Sequence, residues 1–363
     1  MDSSYNQRYR RQIKLTELGR AGQQLLTNAR ILVVGAGGLG CPALLYLTAA
    51  GIGTIGIMDP DLVSITNLHR QVLYSEKDEK KPKVEAAKHR LTELNNRVNF
   101  ETYDYSLEPA NARSIISQFD LVIDGSDNFE TRYLINDACV LEDKPFIYGA
   151  VHRFEGQVSV FNYIQDNGEK GPTYRCLYPE MPDPQSVPSC AETGVIGVLP
   201  GIIGSYQANE AIKMIAGIGK VLSGKMMIID LLNNETSHIS LTRSAQAANV
   251  KILVNYGFYC KTDSRFELTV NELEEWKVSD KKFKLIDIRE KEEVFEGMIN
   301  GAVYFSVNSI LREQNQLLSG HVPIVFYCDT GKRSGKIVNN LLDRDEALNI
   351  YSLLGGIKAW RNK

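Results

Sequence analysis

The chain has 363 residues, 41 Lys and Arg against 44 Asp and Glu, a net charge of −3 and 43% hydrophobic residues. That balance suits a globular protein long enough for two cored domains, and it argues against nucleic-acid binding through a basic patch. No apolar run approaches the roughly 20 residues of a membrane helix, and the opening MDSSYNQRYRRQ lacks the apolar stretch of a secretory signal.

Residues 1–28 carry Arg8, Arg10, Arg11 and Lys14, which composition reads as a solvated basic arm, followed by a short helical pattern ending near Leu26. Ile31 to Val34 is an apolar, β-branched run that predicts a buried parallel strand. Gly35, Gly37, Gly38 and Gly40 follow in the pattern GxGGxG and lead into a helical run through Ala50. A second strand, Thr54 to Met58, ends on Asp59, 19 residues after Gly40. Strand, glycine turn, helix, strand and terminal acid together predict a βαβ nucleotide-binding unit.

Lys83 to Leu94 places Val84, Ala87 and Leu91 at helical spacing, and Val98 to Tyr103 and Asp120 to Asp124 read as further strands. This βαβαβ order predicts an α/β, Rossmann-like doubly wound domain with its ligand beyond the carboxyl ends of the strands. A loop turning into a helix follows, with Asp127 or Asn128 near the cap, then a strand from Lys144 to Val151. The alternating Gln157 to Tyr163 predicts antiparallel pairing. Five prolines between Gly168 and Pro188 mark a long irregular loop, after which Ile202 to Ile215 is helical and Met226 to Asp230 is a strand. Regular patterning fades from Leu241 to Arg265, giving a division into a larger domain at 1–245, a linker at 246–265 and a smaller α/β domain at 266–363. The last part reads as a helical ELTVNELEEW, a strand KLIDIR, an apolar IVFYC leading into DTGKRSG and a helix, and a closing SLLGGIKAW.

The glycines allow a tight turn and close approach to phosphate, and Asp59 is placed for a ribose hydroxyl. Taken alone the turn also serves NAD and flavin enzymes, and a ligand-free glycine turn is the plain alternative. The company it keeps points elsewhere. Asn67-Leu68-His69-Arg70-Gln71, Lys83 and Asp127 put two cations and an acid near the nucleotide, which suits triphosphate chemistry with Mg²⁺. Lys83 by itself would read as a solvated surface lysine.

Six cysteines, Cys41, Cys139, Cys176, Cys190, Cys260 and Cys328, form no CxxC pair, so neither a disulfide scaffold nor a zinc site is expected and a reducing cytoplasm is the default. Cys41 and Cys139 sit in apolar or helical contexts and read as core. Cys190 closes the proline-containing loop ahead of AETGVIG and is placed to be a reactive thiol or a structural one. Cys328 begins CDTGKRS between a strand and a helix. The CxxGxR spacing predicts a loop whose amides turn toward the sulfur, with Lys332 and Arg333 nearby, a nest for a thiolate or persulfide. A phosphatase loop is disfavoured because Cys328 and Arg333 have four intervening residues, one short of CX₅R.

RYRRQ at 8–12, GAGGLG at 35–40, MDPDLVSITNLHRQ at 58–71, PKVEAA at 82–87, DGSDNFETRYLIND at 124–137, EGQVSVF at 155–161, YRCLYPE at 174–180 and CAETGVIGVLPGIIGSYQANEAIK at 190–213 resemble the ThiF/MoeB/HesA family of E1-like adenylyltransferases. IDIREKEEVFEG, CDTGKRS and LLGGIKAW resemble a rhodanese domain, so the chain is similar to fusions of a MoeB-like domain with a rhodanese. Met298 and Ser306 depart from the rhodanese pattern, where histidine and proline are usual.

The resemblance implies ATP- and Mg²⁺-dependent activation of the C-terminal Gly-Gly carboxylate of a small ubiquitin-like sulfur carrier. Gly35, Gly37, Gly38 and Gly40 would contact the nucleotide, Asp59 the ribose, Asn67, Arg70 and Lys83 the phosphates, and Asp127 the Mg²⁺, with Gln71 and Asn128 also among the nucleotide-binding residues. Arg11 would reach the partner subunit's site as an arginine finger, which implies a homodimer and reverses the reading of a solvated arm. Cys190 can accept the activated carboxyl or join the sulfur transfer. Cys328 would carry a persulfide supplied by a donor such as a cysteine desulfurase. Many relatives hold zinc with two CxxC pairs. Here Thr173 replaces the first cysteine of Thr173-x-x-Cys176 and the second pair is represented at most by Cys260, so no zinc is expected. Neither nucleic acid nor membrane is expected as a partner. An NAD(P)-dependent oxidoreductase and a non-catalytic adaptor for a ubiquitin-like partner remain the alternatives.

Overall fold

The computed structural model describes residues 3–165, 168–181, 194–253 and 266–361 apart from 280, 296, 308, 311–317, 319–321 and 343–347. They divide into two compact units, Met1–Asn255 and Tyr256–Lys363. Cys190 and Cys260, and residues 254–265 of the expected linker, lie outside the described residues.

In the first unit the elements run α1 (Ser3–Ile13), α2 (Gly19–Asn28), β1 (Arg30–Val34), α3 (Gly40–Ala50), β2 (Thr54–Met58), α4 (Lys83–Leu94), β3 (Asn99–Tyr103), α5 (Ala112–Ile116), β4 (Leu121–Asp124), α6 (Phe129–Leu141), β5 (Phe146–His152), β6 (Glu155–Phe161), α7 (Tyr174–Leu177), α8 (Val198–Ala216), β7 (Lys225–Asp230) and β8 (Glu235–Ser240). The sheet order is β3-β2-β1-β4-β5-β6-β7-β8. Strands β1 to β5 pair in parallel, whereas β6, β7 and β8 join antiparallel. Ile31 lies between Ile55 and Leu121, so β1 is covered on both edges, and its apolar run is buried on both faces as a central parallel strand requires. Helix α3 is apolar almost all round for a similar reason: Cys41, Ala43, Leu44 and Leu47 are fully enclosed in the core beneath the sheet. The sequence gives no alternating pattern over ETSHIS, and β8 forms there nonetheless. It is exposed along its whole length and is held by backbone pairing with β7.

The basic arm is a docked helix. Tyr5 and Tyr9, one helical turn apart, are buried, and their rings meet edge to face at 4.8 Å. Tyr9 Oη accepts a hydrogen bond from Asn95 Nδ2 at 2.8 Å, and Tyr5 Oη bonds Thr27 Oγ1 at 2.6 Å. Gln12 Nε2 donates to Ala50 O at the carboxyl end of α3. The tyrosines lie so close that a Cβ on Gly51, itself at φ +83°, would stand 2.5 Å from the Tyr9 ring. Arg8, Arg10 and Arg11 project outward from this anchored helix.

The second unit runs β9 (Glu267–Leu268), α9 (Val270–Val278), β10 (Lys284–Asp287), α10 (Lys291–Val294), β11 (Ala302–Tyr304), β12 (Ile324–Tyr327), α11 (Lys332–Leu342), β13 (Ile350–Leu353) and α12 (Gly356–Arg361). Its strands pair in parallel in the order β11-β10-β12-β13-β9. Alternate residues of β10 and β12 feed two cores, Ile286 and Phe326 on one face and Leu285, Val325 and Tyr327 on the other. The run ELTVNELEEW divides into β9 and α9 because Thr269 and Glu272 form a reciprocal capping box, which starts the helix at Val270. No helix among the described residues is long and apolar enough to cross a membrane.

Gly51→Ala tests the docking of α1. The added Cβ is strained by the backbone conformation and collides with Tyr9, at a cost of roughly 2–4 kcal/mol. Trypsin should then cleave at Arg8, Arg10 and Arg11 faster than in the wild type. Unchanged cleavage would show that Tyr9 does not anchor the helix.

Candidate active sites

The first site forms where β1, β2 and β4 end side by side. Gly35 N donates to Met58 O and Gly125 N to Val34 O, both at 2.8 Å, so the turns after β1 and β4 are drawn together. Gly35 sits at φ +94°, and a Cβ there would lie 2.5 Å from Gly125 O, so the position admits only glycine. Asp59, at the end of β2, locks the turn. Its Oδ2 accepts from Ala36 N at 2.8 Å and its Oδ1 from Asp61 N at 2.9 Å.

Lys83, at the start of α4, is only 4% exposed. Its Nζ lies 2.9 Å from Asp61 Oδ2 and 3.5 Å from Asp59 Oδ1. Burial works against the ammonium, yet the two carboxylates prevail and hold its pKa above the ordinary lysine value. Burial also pushes the Asp59 pKa up, against Lys83 and the two amides. The solvated-lysine reading is thereby excluded. Asp61 was missed as a site residue, although it stands two positions after Asp59 in DPD. Behind the turn, Tyr74 Oη and Cys41 Sγ both donate to Ala36 O, and burial pushes the Cys41 thiol up to about 12, as befits an inert core cysteine.

The outer face of the turn is open at Gly37, while Pro200 closes on Gly38. A Cβ on Gly37 would meet only Gln71 Nε2, at 3.6 Å, and one on Gly38 would meet Pro200 at 3.1 Å and Arg70 Cδ at 3.6 Å. Arg70 is itself braced, with Nη2 donating to Asn67 Oδ1 and Nη1 bonded to His69 Nε2, each at 2.8 Å. Gln71 is buried, and its Oε1 has no hydrogen-bond partner among the described residues. A buried acceptor left open beside a turn that is open at Gly37 is costly unless a ligand completes it. These residues therefore fit a nucleotide.

After β4, Asn128 caps α6 by accepting from Thr131 N at 2.8 Å, so its amide oxygen is committed to the helix. Asp127 is exposed, with Asn128 Nδ2 a long 3.5 Å from its Oδ1, which leaves its carboxylate able to face a metal ion. Beneath them lies a buried pair that the sequence reading did not single out. Asp124 Oδ1 accepts from Ser126 N and Oγ, and its Oδ2 accepts from Arg132 Nε at 3.2 Å. Arg132 Nη2 also donates to Ser126 O, and the guanidinium lies 5.0 Å from the centre of the Tyr148 ring. This pair fixes the 124–127 turn. Arg11 is not at this site within its own chain. Helix α1 docks at the carboxyl end of α3, and the glycine turn lies at that helix's amino end, about 16 Å away at 1.5 Å per residue.

Cys176 is a small structural hub. Its Sγ accepts from Thr173 N at 3.3 Å and from Ser244 N at 3.2 Å, while Ala247 N donates to Ser244 Oγ. The described segment that meets Thr173 and Cys176 is thus 244–247. Among the described residues no group of three or more His, Cys, Asp or Glu side chains could hold a metal.

The second site begins at the end of β12. Cys328 is buried where the loop curls into α11, with Gly331 at φ +83°. Among the described residues the donor to Cys328 Sγ is the Ser334 hydroxyl, at 3.7 Å, and not a backbone amide of the expected nest. Arg333 pairs with Glu293 at 2.5 Å, and Asp329 with Lys358 at 2.6 Å. The Glu293 bond comes first in holding Arg333 above the ordinary arginine value, and Cys328 adds to it. The Lys332 side chain lies outside the described residues.

Comparison with known proteins bears on both sites. Residues 9–250 match the ThiF family and residues 269–363 the rhodanese-like domain. A probable adenylyltransferase/sulfurtransferase MoeZ of Mycobacterium tuberculosis is 39% identical over 363 residues, covering 97% of this chain and 92% of its own. A sulfur carrier protein adenylyltransferase of Thermus thermophilus is 47% identical over 259 residues, covering 70% of this chain and 96% of its own. The crystal structure of E. coli MccB shares the fold at 22% identity, with a TM-score of 0.59 over 70% of this chain and 76% of that one.

The Asp124–Arg132 pair predicts a large effect from a small change. Asp124→Asn strands a buried guanidinium and should cost about 3–5 kcal/mol in denaturant unfolding, with part of the loss recovered by Asp124→Asn combined with Arg132→Met. A loss under about 1 kcal/mol would mean that water or another group already compensates Arg132.

Proposed function

The chain belongs to the ThiF family and carries a rhodanese-like domain, and from that premise we propose that it adenylates a ubiquitin-like sulfur carrier and then delivers sulfur to it. The substrate is the carrier's C-terminal Gly-Gly carboxylate. The supporting observation is the turn open at Gly37, flanked by Arg70 and the open Gln71 Oε1, on the same chain as the Cys328 loop.

A carboxylate attacking the α-phosphorus of ATP meets a polyanion, so the enzyme's work is positioning and charge neutralisation. The carboxylate oxygen forms a bond to phosphorus, the bond to the bridging oxygen breaks, and pyrophosphate leaves. Arg70, steadied by Asn67, supplies positive charge to the phosphates. Lys83 acts from behind, keeping Asp59 set against Ala36 so that the turn presents its amides. Asp127 would hold Mg²⁺, which supplies further charge neutralisation to the phosphate oxygens. Gln71 Oε1 would accept from a nucleotide hydroxyl or amino group. Arg11, exposed and remote from its own turn, is assigned to the partner's site in a homodimer.

For the second half, the Cys328 thiolate takes a sulfane sulfur from a protein persulfide such as that of a cysteine desulfurase, whose own thiolate leaves. The terminal sulfur of the Cys328 persulfide attacks the acyl-adenylate carbonyl and expels AMP. A thiol, Cys190 or an external one, then attacks the Cys328 sulfur of the acyl disulfide and releases the carrier thiocarboxylate. We assign 1–245 to adenylation, 246–265 to the linker and 266–363 to sulfur transfer, and place the work in the cytoplasm. No zinc is needed, since hydrogen bonds from Thr173 and Ser244 occupy the Cys176 sulfur, and metal analysis of purified protein should find well under one zinc per chain.

Carrier-dependent exchange of pyrophosphate into ATP tests the first step. Asp127→Ala should lower it by about 100-fold or more, while Cys328→Ala should leave it intact and abolish persulfide transfer. No exchange with any Gly-Gly carrier, together with wild-type behaviour of Asp127→Ala, would overturn the reading.

A further inference from the structure

One hydroxyl reaches the Cys328 sulfur, and a second hydroxyl and a carbonyl join it in a buried cluster. Ser334, in the first turn of α11, is fully enclosed, and its Oγ stands 3.7 Å from Cys328 Sγ, 3.1 Å from Gly331 O and 2.8 Å from Ser352 Oγ. Ser352 belongs to β13, 18 residues further on, and is itself 3% exposed. Its Oγ is also 3.4 Å from Gly331 O. Gly331 O already accepts the helical N–H of Gly335 at 2.9 Å, so it does not depend on either hydroxyl.

A serine hydroxyl has one proton to give. When Cys328 is neutral, Ser334 can give its proton to Gly331 O. When Cys328 carries a negative charge, as thiolate or persulfide, the Ser334 proton is best placed on sulfur. Its oxygen then needs a donor, and in this dry cluster Ser352 is the side chain in reach. A hydroxyl that accepts one hydrogen bond also becomes a stronger donor in the next.

We propose that Ser352 is a positioning residue for the sulfur-transfer site, forming a relay in which its O–H bonds Ser334 Oγ and the Ser334 O–H bonds the anionic sulfur of Cys328. The proposal rests on the reading of Cys328 as the sulfur-carrying thiol. The relay sets how much of that sulfur is ionised at neutral pH, without Ser352 touching any substrate. Among the described side chains, the other charged groups around the loop are paired: Arg333 with Glu293 from α10, Asp329 with Lys358 from α12, and Asp287 of β10 with Arg289. The hydroxyl pair is therefore the adjustable part of the described surroundings.

The test follows alkylation of Cys328 by iodoacetamide against pH in the full chain, read on the peptide that contains Cys328. Thiolate sulfur displaces iodide, so the rate reports the ionised fraction. Burial of the thiol slows the reaction at every pH and leaves the midpoint unchanged. Ser352→Ala should shift the profile to higher pH, slowing the reaction about threefold to tenfold near neutrality, with the wild-type rate regained at alkaline pH. Ser334→Ala should shift it at least as far, and adding Ser352→Ala to that variant should change nothing more. Ser352→Thr, which keeps the hydroxyl, should restore the wild-type midpoint. A superimposable Ser352→Ala profile, or an effect that adds fully to Ser334→Ala, would overturn the relay. A rate lowered equally at every pH would also overturn it, by showing a packing role only. Alkylation needs no sulfur donor. Failure of Cys328 as carrier is read separately, as persulfide loading of the full chain that survives Cys328→Ala.

Discussion

A single carboxylate holds the nucleotide turn in shape. Asp59 accepts from Ala36 N on one side and Asp61 N on the other, and Lys83 keeps it company inside the protein. Burying two opposite charges is expensive, and the bond to the turn amide is what makes the arrangement useful. It fixes the path of residues 35–38 against the end of β2. The collision that any side chain at Gly35 would make with Gly125 O then fixes that turn against the end of β4. The residues proposed to reach the nucleotide, from Arg70 on one side to Asp127 on the other, flank this junction of three strand ends.

The second unit answers a different electrostatic problem. An adenylated carboxyl is an electrophile and needs a nucleophilic sulfur, which a buried, anionic sulfur atom can provide only if its charge is stabilised without becoming inert. The paired charges at the loop mouth, Arg333 with Glu293 and Asp329 with Lys358, limit how strongly the loop attracts small anions. A neutral hydroxyl in contact with the sulfur, that of Ser334, stabilises it more gently than a lysine would. One chain thus holds both the group that activates a carboxyl and the group that replaces its oxygen.

Much of this was readable from residues. The glycine spacing, the strand-end Asp59 and the helix at Lys83 to Leu94 follow from period and turn chemistry, and the structure has them at those places. Other parts were hidden for physical reasons. Helix α1 buries only two apolar side chains, Tyr5 and Tyr9, among polar and charged neighbours, so its composition reads as a solvated arm. Strand β8 has no buried face and depends on backbone pairing, which leaves no pattern in the side chains. Asp61 and the Asp124–Arg132 pair gain their roles only when the chain brings them together. Cys176 takes a hydrogen bond from the backbone of Ser244, a residue whose side-chain type carries no signal for that contact. The Ser352 relay crosses from one strand to the next, and nothing local to SLLGG announces it.

The central claim is that the two sites act in sequence on one carboxylate. Its most direct test is the mass of a Gly-Gly carrier after incubation with the full chain, Mg·ATP and a protein persulfide. The account predicts conversion of the terminal carboxylate to a thiocarboxylate that requires ATP, Arg70 and Cys328 together. Thiocarboxylate formed without ATP, or undiminished in Cys328→Ala, would contradict it.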